Sequence, residues 1–364
     1  MRRLPVQNPP NPWARTDVTY DPGEVPNTAA IQVFFDQSKS ILSKNDSPDI
    51  GFRYSANPYR GCSHACAYCY ARPSHEYLSL GAGTDFDRKI MVKPHAAELL
   101  EQALRKPSWK REVVVFSGVT DCYQPVEAEY RLTRACLEVC AKYRTPAGIV
   151  TKSALIERDI DVLLALKESA SVHVSISIPF WNDDVSRAIE PYTPTPARRL
   201  RVIKKLSEAG IPVGVNVAPV IPGLNDADIA QILAAARENG ATHAGYVLLR
   251  LPGSVKAVFE ERVRAALPLR AEKILRRIRE TRGGELYQPK FGERQVGTGV
   301  YADQIHAIFT QTTARLGFNA KGMNGAIERN AEDISDAAIE ERAATKRLKV
   351  PKPVSVDQLR LFDR

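Results

Sequence analysis

Cysteine is scarce in this chain, with six among 364 residues: three packed between positions 62 and 69, and three near the middle at 122, 136 and 140. So low a count excludes the dense disulfide framework of a small secreted domain and favours reduced thiols. Long apolar runs are missing as well. No stretch approaches the roughly 20 apolar residues of a membrane span, and the opening MRRLPVQNPPNPWARTD has no apolar run between its arginines and its prolines. These absences predict a soluble, cytoplasmic protein with no membrane partner. Acid is in deficit too: the formal charge of +9 suits a polyanionic partner, although many basic proteins bind none.

What is present is an ordinary globular composition, 44% apolar, enough for a sizeable core. Short apolar, β-branched runs recur along the middle of the chain: EVVVFSGVTD (112–121), AGIVTKS (147–153), SVHVSISIPF (171–180), IPVGVNVAPVIPG (211–223) and THAGYVLLRLP (242–252). Segments of helical spacing separate them, such as Leu200, Ile203 and Leu206, or Ile229, Ile232 and Leu233. Strand and helix in alternation predict a parallel sheet covered by helices, either a barrel or an open doubly wound sheet, of about six units. Ligands of such folds bind at the carboxyl ends of the strands, so Ser117–Asp121, Thr151–Ser153, Pro179–Asn182 and Pro222–Asp226 are expected to face one site.

The expected organisation is an N-terminal arm over 1–50, partly flexible, a core over 51–254, an extension over 255–318 and a flexible tail over 319–364. Within the extension, residues 262–294 carry ten Lys/Arg against four Asp/Glu. The glycine-rich stretch GELYQPKFGERQVGTGVYAD (284–303) interleaves Lys290, Phe291, Arg294 and Tyr301. Each is either an ordinary solvated surface or a face that holds phosphates and stacks on bases.

The chemistry sits in GCSHACAYCY (61–70), where Cys62, Cys66 and Cys69 are spaced x3 and x2. Structural zinc normally takes four soft ligands, and no histidine stands at zinc spacing; His64 reads as a polar loop residue. Thiolates also hold iron–sulfur clusters, where three on one short loop leave one iron open for an exogenous ligand.

The cysteine spacing, with Tyr68 before the third cysteine, resembles the signature of the radical S-adenosylmethionine (SAM) superfamily. The words NPYRGCSHACAYCYAR and IVTKS resemble its spore photoproduct lyase-like branch. This resemblance implies an α/β fold, a partial (β/α)6 TIM-like barrel. It implies a [4Fe–4S] cluster on the three cysteines that binds SAM through its open iron and cleaves it reductively to a 5′-deoxyadenosyl radical. It also implies an electron donor of the flavodoxin or ferredoxin type. Matched position by position, the SAM contacts fall on Ser117, Gly118, Lys152, Ser175 and Ser177, with Lys152 suited to the methionine carboxylate and Tyr68 to the adenine.

The branch uses a cysteine on the second strand as hydrogen donor, assisted by tyrosines, yet Gly118 stands there; Cys122 and Tyr123 are the candidate replacements if their loop turns into the barrel. Cys136 and Cys140, at i and i+4, are expected in the core. Glu190, with Arg198 and Arg199 a turn into the next helix, either reaches SAM or phosphate or merely solvates the helix. The tail's Gln358, Leu359, Leu361 and Phe362, in QLRLF, resemble the bacterial sliding-clamp binding pentapeptide, with a departure at Arg360. The expected function is a radical SAM enzyme acting on DNA, in lyase-type repair of a covalent lesion. The alternatives are action on RNA, protein or a DNA–protein cross-link, or a non-catalytic iron–sulfur protein that binds DNA or the clamp.

Overall fold

Each short β-branched run becomes a strand because both of its faces find apolar cover, the condition that a parallel sheet imposes. The computed structural model describes residues 31–319; the first 30 residues and the tail with Gln358, Leu359, Leu361 and Phe362 lie outside the described residues. The strands are β1 (Gln32–Phe35), β2 (Leu42–Lys44), β3 (Tyr54–Ala56), β4 (Tyr59–Arg60), β5 (Lys89–Val92), β6 (Val114–Phe116), β7 (Ala147–Thr151), β8 (Val172–Ser177), β9 (Val213–Val220) and β10 (His243–Leu248). The main sheet runs β10-β9-β8-β7-β6-β3-β2, parallel from β3 to β10, with β2 antiparallel at the edge. A small sheet, β1-β5-β4, stands beside it. Residues 32–44, expected in the arm, thus supply a strand to each sheet.

Six parallel strands with helices between them form the partial barrel of the radical SAM fold. The alternation on β8 shows how it is layered. Val172, Val174 and Ile176 point into the main core, where helices such as Leu132–Lys142 and Ile229–Glu238 cover the sheet. His173, Ser175 and Ser177 take the opposite, interior face. The helix Pro196–Glu208 starts where the Thr195 hydroxyl accepts the Arg198 N–H at 3.2 Å, with Pro196 at its first turn, and it buries Val202, Ile203 and Leu206. Cys136 and Cys140 are fully buried in this main core.

A second core holds the cysteine loop. Cys66, Ala67 and Tyr68 pack with Phe180, Ile189 and Ile221 and with Phe259, Ile274 and Ile278 from the helices Val255–Ala266 and Ala271–Glu280. The open seam between β10 and the β2–β3 end of the sheet is bridged by residues 292–295. Leu248 N–H donates to Gln295 O at 2.7 Å on one side. On the other, Gly292 N–H donates to Asp49 Oδ1 at 2.8 Å and Arg294 pairs with the same carboxylate. No helix among the described residues is long and apolar enough to cross a membrane.

The second core predicts the cost of hollowing it. Phe259→Ala is expected to lower stability by about 3–5 kcal/mol, measured by urea unfolding; a loss under about 1 kcal/mol would mean that these helices are not held by that core.

Candidate active site

The cysteine loop leaves β4 through Gly61, whose φ of +77° and lack of a Cβ are both required: a Cβ there would lie 2.9 Å from His75 and from Phe86 O. Side chains then fix the loop by its backbone. Gln124 accepts Ser63 N–H at 3.1 Å and donates to Gly61 O at 2.9 Å, and the buried Arg72 donates to Cys66 O at 2.9 and 3.1 Å and to Asp87 at 2.8 Å. A loop with this many internal partners presents its thiols in one arrangement.

Cys62, Cys66 and Cys69 all line one cavity of about 490 Å3 at the carboxyl ends of the strands, together with Tyr68, Ser117, Gly118, Lys152 and Ser177. Ser175 does not line it; it lies two residues deeper along β8, buried on the same face. Among the described residues no three His, Cys, Asp or Glu side chains converge as one metal ion requires. Three thiols lining one cavity from one short loop fit the ligand set of an iron–sulfur cluster, in which each thiolate binds a different iron. Burial pushes the Cys66 thiol up to about 12 and that of Cys62 well above the ordinary range.

Lys152 places its ammonium over the Tyr68 ring, 5.6 Å from the centroid. Burial alone would lower its pKa, but Cys66 and Glu190 outweigh burial and raise it, so it stays a cation. Glu157, five residues along the chain from Lys152, pairs with Arg198 and Lys205. The cavity-facing edge of Lys152 is thus open for a carboxylate.

Beneath it lies a buried group for which the sequence left two readings, contact with SAM or phosphate and solvation of the helix. Glu190 accepts from the Tyr68 hydroxyl, from Arg199 and, at 3.2 Å, from the Ser186 hydroxyl. Arg199 is fully buried and also donates to Ser177 O at 3.0 Å, at the end of β8. His64, expected as a polar loop residue, is buried too and lies 3.5 Å from Asp121. Burial alone would raise the Asp121 pKa; His64, the Thr151 hydroxyl at 2.6 Å and Lys152 N–H at 2.8 Å outweigh it and hold the carboxyl far below the usual range. Of these only Asp121 stands after a strand end; Glu190 closes the helix Asp183–Ile189, Arg199 lies in the helix Pro196–Glu208 and His64 in the cysteine loop, and nothing in the sequence pairs them.

Cys122 and Tyr123 do not turn into the barrel. Asp121 takes the cavity side of the turn and the next two residues face the other way, fully buried in the main core. The Cys122 carbonyl accepts the Thr133 hydroxyl at 2.6 Å and its N–H donates to Ser117 Oγ at 3.2 Å, so the turn is held in that sense. Ser117 itself has φ +86°, a left-handed conformation that costs a side-chain-bearing residue about 1–3 kcal/mol. Gly118 does line the cavity, and its backbone makes no such demand. A Cβ there would meet only Asn57 and Ser55 at 3.6–3.9 Å, ordinary contact distances.

The basic extension is less free than its composition suggests. Of the ten cations in 262–294, Arg264, Arg276, Arg277, Lys290 and Arg294 are ion-paired within the protein, and Arg282 is buried against carbonyls.

Residues 56–236 match the sequence model of the radical SAM superfamily, and the chain belongs to that superfamily. Its cofactors are those of the superfamily, a [4Fe–4S] cluster and SAM. Among particular relatives, an uncharacterized protein of Mycobacterium tuberculosis is 40% identical over 224 residues, 61% of this chain and 66% of the relative's length. An uncharacterized protein of Methanocaldococcus jannaschii is 32% identical over 198 residues, covering 54% of this chain and 71% of that one. A protein of Pseudomonas phage M6 named radical SAM Nalpha-GlyT isomerase is 25% identical over 212 residues, 57% of this chain and 42% of that one. Among solved structures, spore photoproduct lyase with bound AdoMet and dinucleoside spore photoproduct superposes with a TM-score of 0.56 at 16% identity, over 79% of this chain and 80% of that one. The fold is shared with that enzyme.

Two substitutions test the site. Glu190→Ala strands the buried Arg199 charge and is expected to cost about 3–5 kcal/mol in urea unfolding, with a wild-type value refuting the bridge. Gly118→Cys is expected to change stability by less than about 1 kcal/mol, and to add one cavity thiol that an alkylating reagent titrates; a collapse in melting temperature would show that glycine is needed there.

Proposed function

We propose that this radical SAM enzyme acts on DNA, at a nucleotide carrying a covalent lesion, in a lyase-type repair. The observation that carries the reading is the single cavity shared by the three thiols, Lys152 and Ser177, in a fold shared with spore photoproduct lyase.

When bound, the cluster and SAM supply reductive cleavage of the sulfonium and a carbon-centred radical. The chain's own residues do the positioning. Cys62, Cys66 and Cys69, which line the cavity, would hold the cluster. Lys152 would take the methionine carboxylate of SAM, while Ser117, Gly118 and Ser177 border the space beside it. The apolar walls, Val115, Val150 and Val247 among them, exclude water from that space. The substrate base reaches such a cavity only when extruded from its stack, which costs least where pairing is already damaged. An electron donor of the flavodoxin or ferredoxin type completes the scheme.

Gly118 and the placement of Cys122 separate this enzyme from the lyase in one respect: no cysteine thiol besides the three of the cluster loop lines the cavity. The reading therefore keeps the substrate class and leaves the hydrogen-return step to a group other than a strand-end cysteine.

Anaerobically reconstituted, reduced protein should form 5′-deoxyadenosine from SAM, faster with ultraviolet-damaged duplex than with intact duplex, and should release repaired bases detected by mass spectrometry. Cys66→Ala should abolish both. SAM cleavage that ignores every DNA added, with no DNA product, would count against the proposal.

A further inference from the structure

Across the cavity from Lys152 stands a second cation, Arg250, whose charge is balanced by no ion pair among the described residues. It follows the end of β10, so β8 and β9 lie between it and β7, which carries Lys152 at its end. Both line the cavity. The Arg250 guanidinium lies over the Tyr70 ring at 5.7 Å, and its Nε is buried with no hydrogen-bond partner.

The surroundings of Arg250 explain why nothing in the protein satisfies it. The carbonyls of Leu248 and Leu249, next to it in the chain, accept from Arg282 at 3.2 and 2.6 Å, and Arg282 also donates to Glu293 O at 3.0 Å. Asp49, the acid that shares the cavity on this side, is engaged by Gly292 N–H and by Arg294. Asp121, the other cavity acid, is engaged by His64, Thr151 and Lys152 N–H. Two guanidinium groups are thus set close together, and Asp49, near enough to feel the Arg250 charge, takes its hydrogen bonds from Gly292 and Arg294. Burial first, and then the Arg250 charge, push Arg282 down to about 10, a sign that the pair repels. An anion bound at Arg250 relieves that repulsion and supplies the missing acceptor.

A guanidinium stacked on an aromatic ring keeps its fork of N–H donors in one plane, a geometry that matches the oxygens of a phosphate. The carboxylate of SAM already has its cation in Lys152, on the other wall. We propose that Arg250, backed by Arg282 and held by Tyr70, is an anion subsite that grips a phosphodiester of the substrate, next to the nucleotide presented to the cavity. This rests on the nucleic-acid reading above and adds to it the residue that would hold the backbone. Arg250 then sets where the strand enters, and the exposed Tyr70 ring lies at the same point.

The test measures binding by cluster-loaded protein with SAM present, using a labelled oligothymidylate and the same oligomer with uncharged methylphosphonate linkages. Arg250→Gln should weaken the phosphodiester oligomer by about 10-fold or more, with Arg250→Lys recovering part of the loss. The slope of log affinity against log salt should fall by about 0.7, one phosphate contact on a single strand. Affinity for the methylphosphonate oligomer should be unchanged by Arg250→Gln, and SAM affinity should stay within about twofold, which also reports that the variant is folded. Equal weakening of both oligomers, or no weakening, would overturn the subsite.

Pyrophosphate provides the second arm and separates the two readings. If wild-type protein binds pyrophosphate through Arg250 but binds no oligomer, the anion subsite stands and the nucleic-acid reading falls. If it binds the oligomer equally well with Arg250→Gln, the nucleic-acid reading stands and the subsite falls. Binding of neither probe removes both.

Discussion

The buried ion pair between Arg199 and Glu190 is the constraint on which the site depends. Both groups are fully removed from solvent, a condition that a charge survives only when paired and hydrogen-bonded. Their partners are what give the pair its reach. Arg199 donates to Ser177 O at the end of β8, and Glu190 accepts from Tyr68 between the second and third cysteines. One electrostatic unit thereby ties a strand end, the helix Pro196–Glu208 and the cysteine loop into a fixed relation. The barrel positions the thiols through this unit and not through the loop's own conformation alone.

A second consequence is how charge is distributed in the cavity. The acids that face it, Asp49 and Asp121, are engaged by protein groups, while Lys152 and Arg250 keep donors directed at the interior. The space is accordingly apolar in its walls and cationic at two separated points. Such a cavity suits an elongated ligand set with anionic groups at two ends and uncharged reacting centres between them. The extension contributes less charge than support: its helices bury Phe259, Ile274 and Ile278 against the cysteine loop, and its bridge at residues 292–295 spans the open seam.

Much of this was legible in the sequence, and for identifiable reasons. The runs 112–121, 147–153, 171–180, 211–223 and 242–252 contain β6 to β10, because strands buried on both faces must be continuously apolar and β-branched. Cys62, Cys66 and Cys69 announce a cluster because three thiolates on a short loop are a local pattern. Lys152 was readable because Thr151–Ser153 ends an apolar strand, whereas Ser177 came only from the family resemblance. Cys122 shows the limit. It is one residue from Asp121, and only the turn after Ser117 decides that the carboxylate and not the thiol enters the cavity. Arg250 is a similar case, a lone cation after an apolar run, to which the sequence attaches no partner and no role.

The amino-acid sequence by itself determined the strand–helix alternation, the membership of the cysteine loop in its superfamily and the absence of a cysteine at Gly118, since each is written in local periodicity, spacing or identity. Only the tertiary structure decided that Glu190, Arg199, His64 and Asp121 are buried partners, that five of the ten cations in 262–294 are spent on ion pairs, and that Arg250 is not. The physical reason is that pairing and desolvation are properties of neighbours in space. Glu190 meets Tyr68 from 122 residues away and Arg294 meets the Asp49 carboxylate from 245, separations at which no sequence pattern carries the contact.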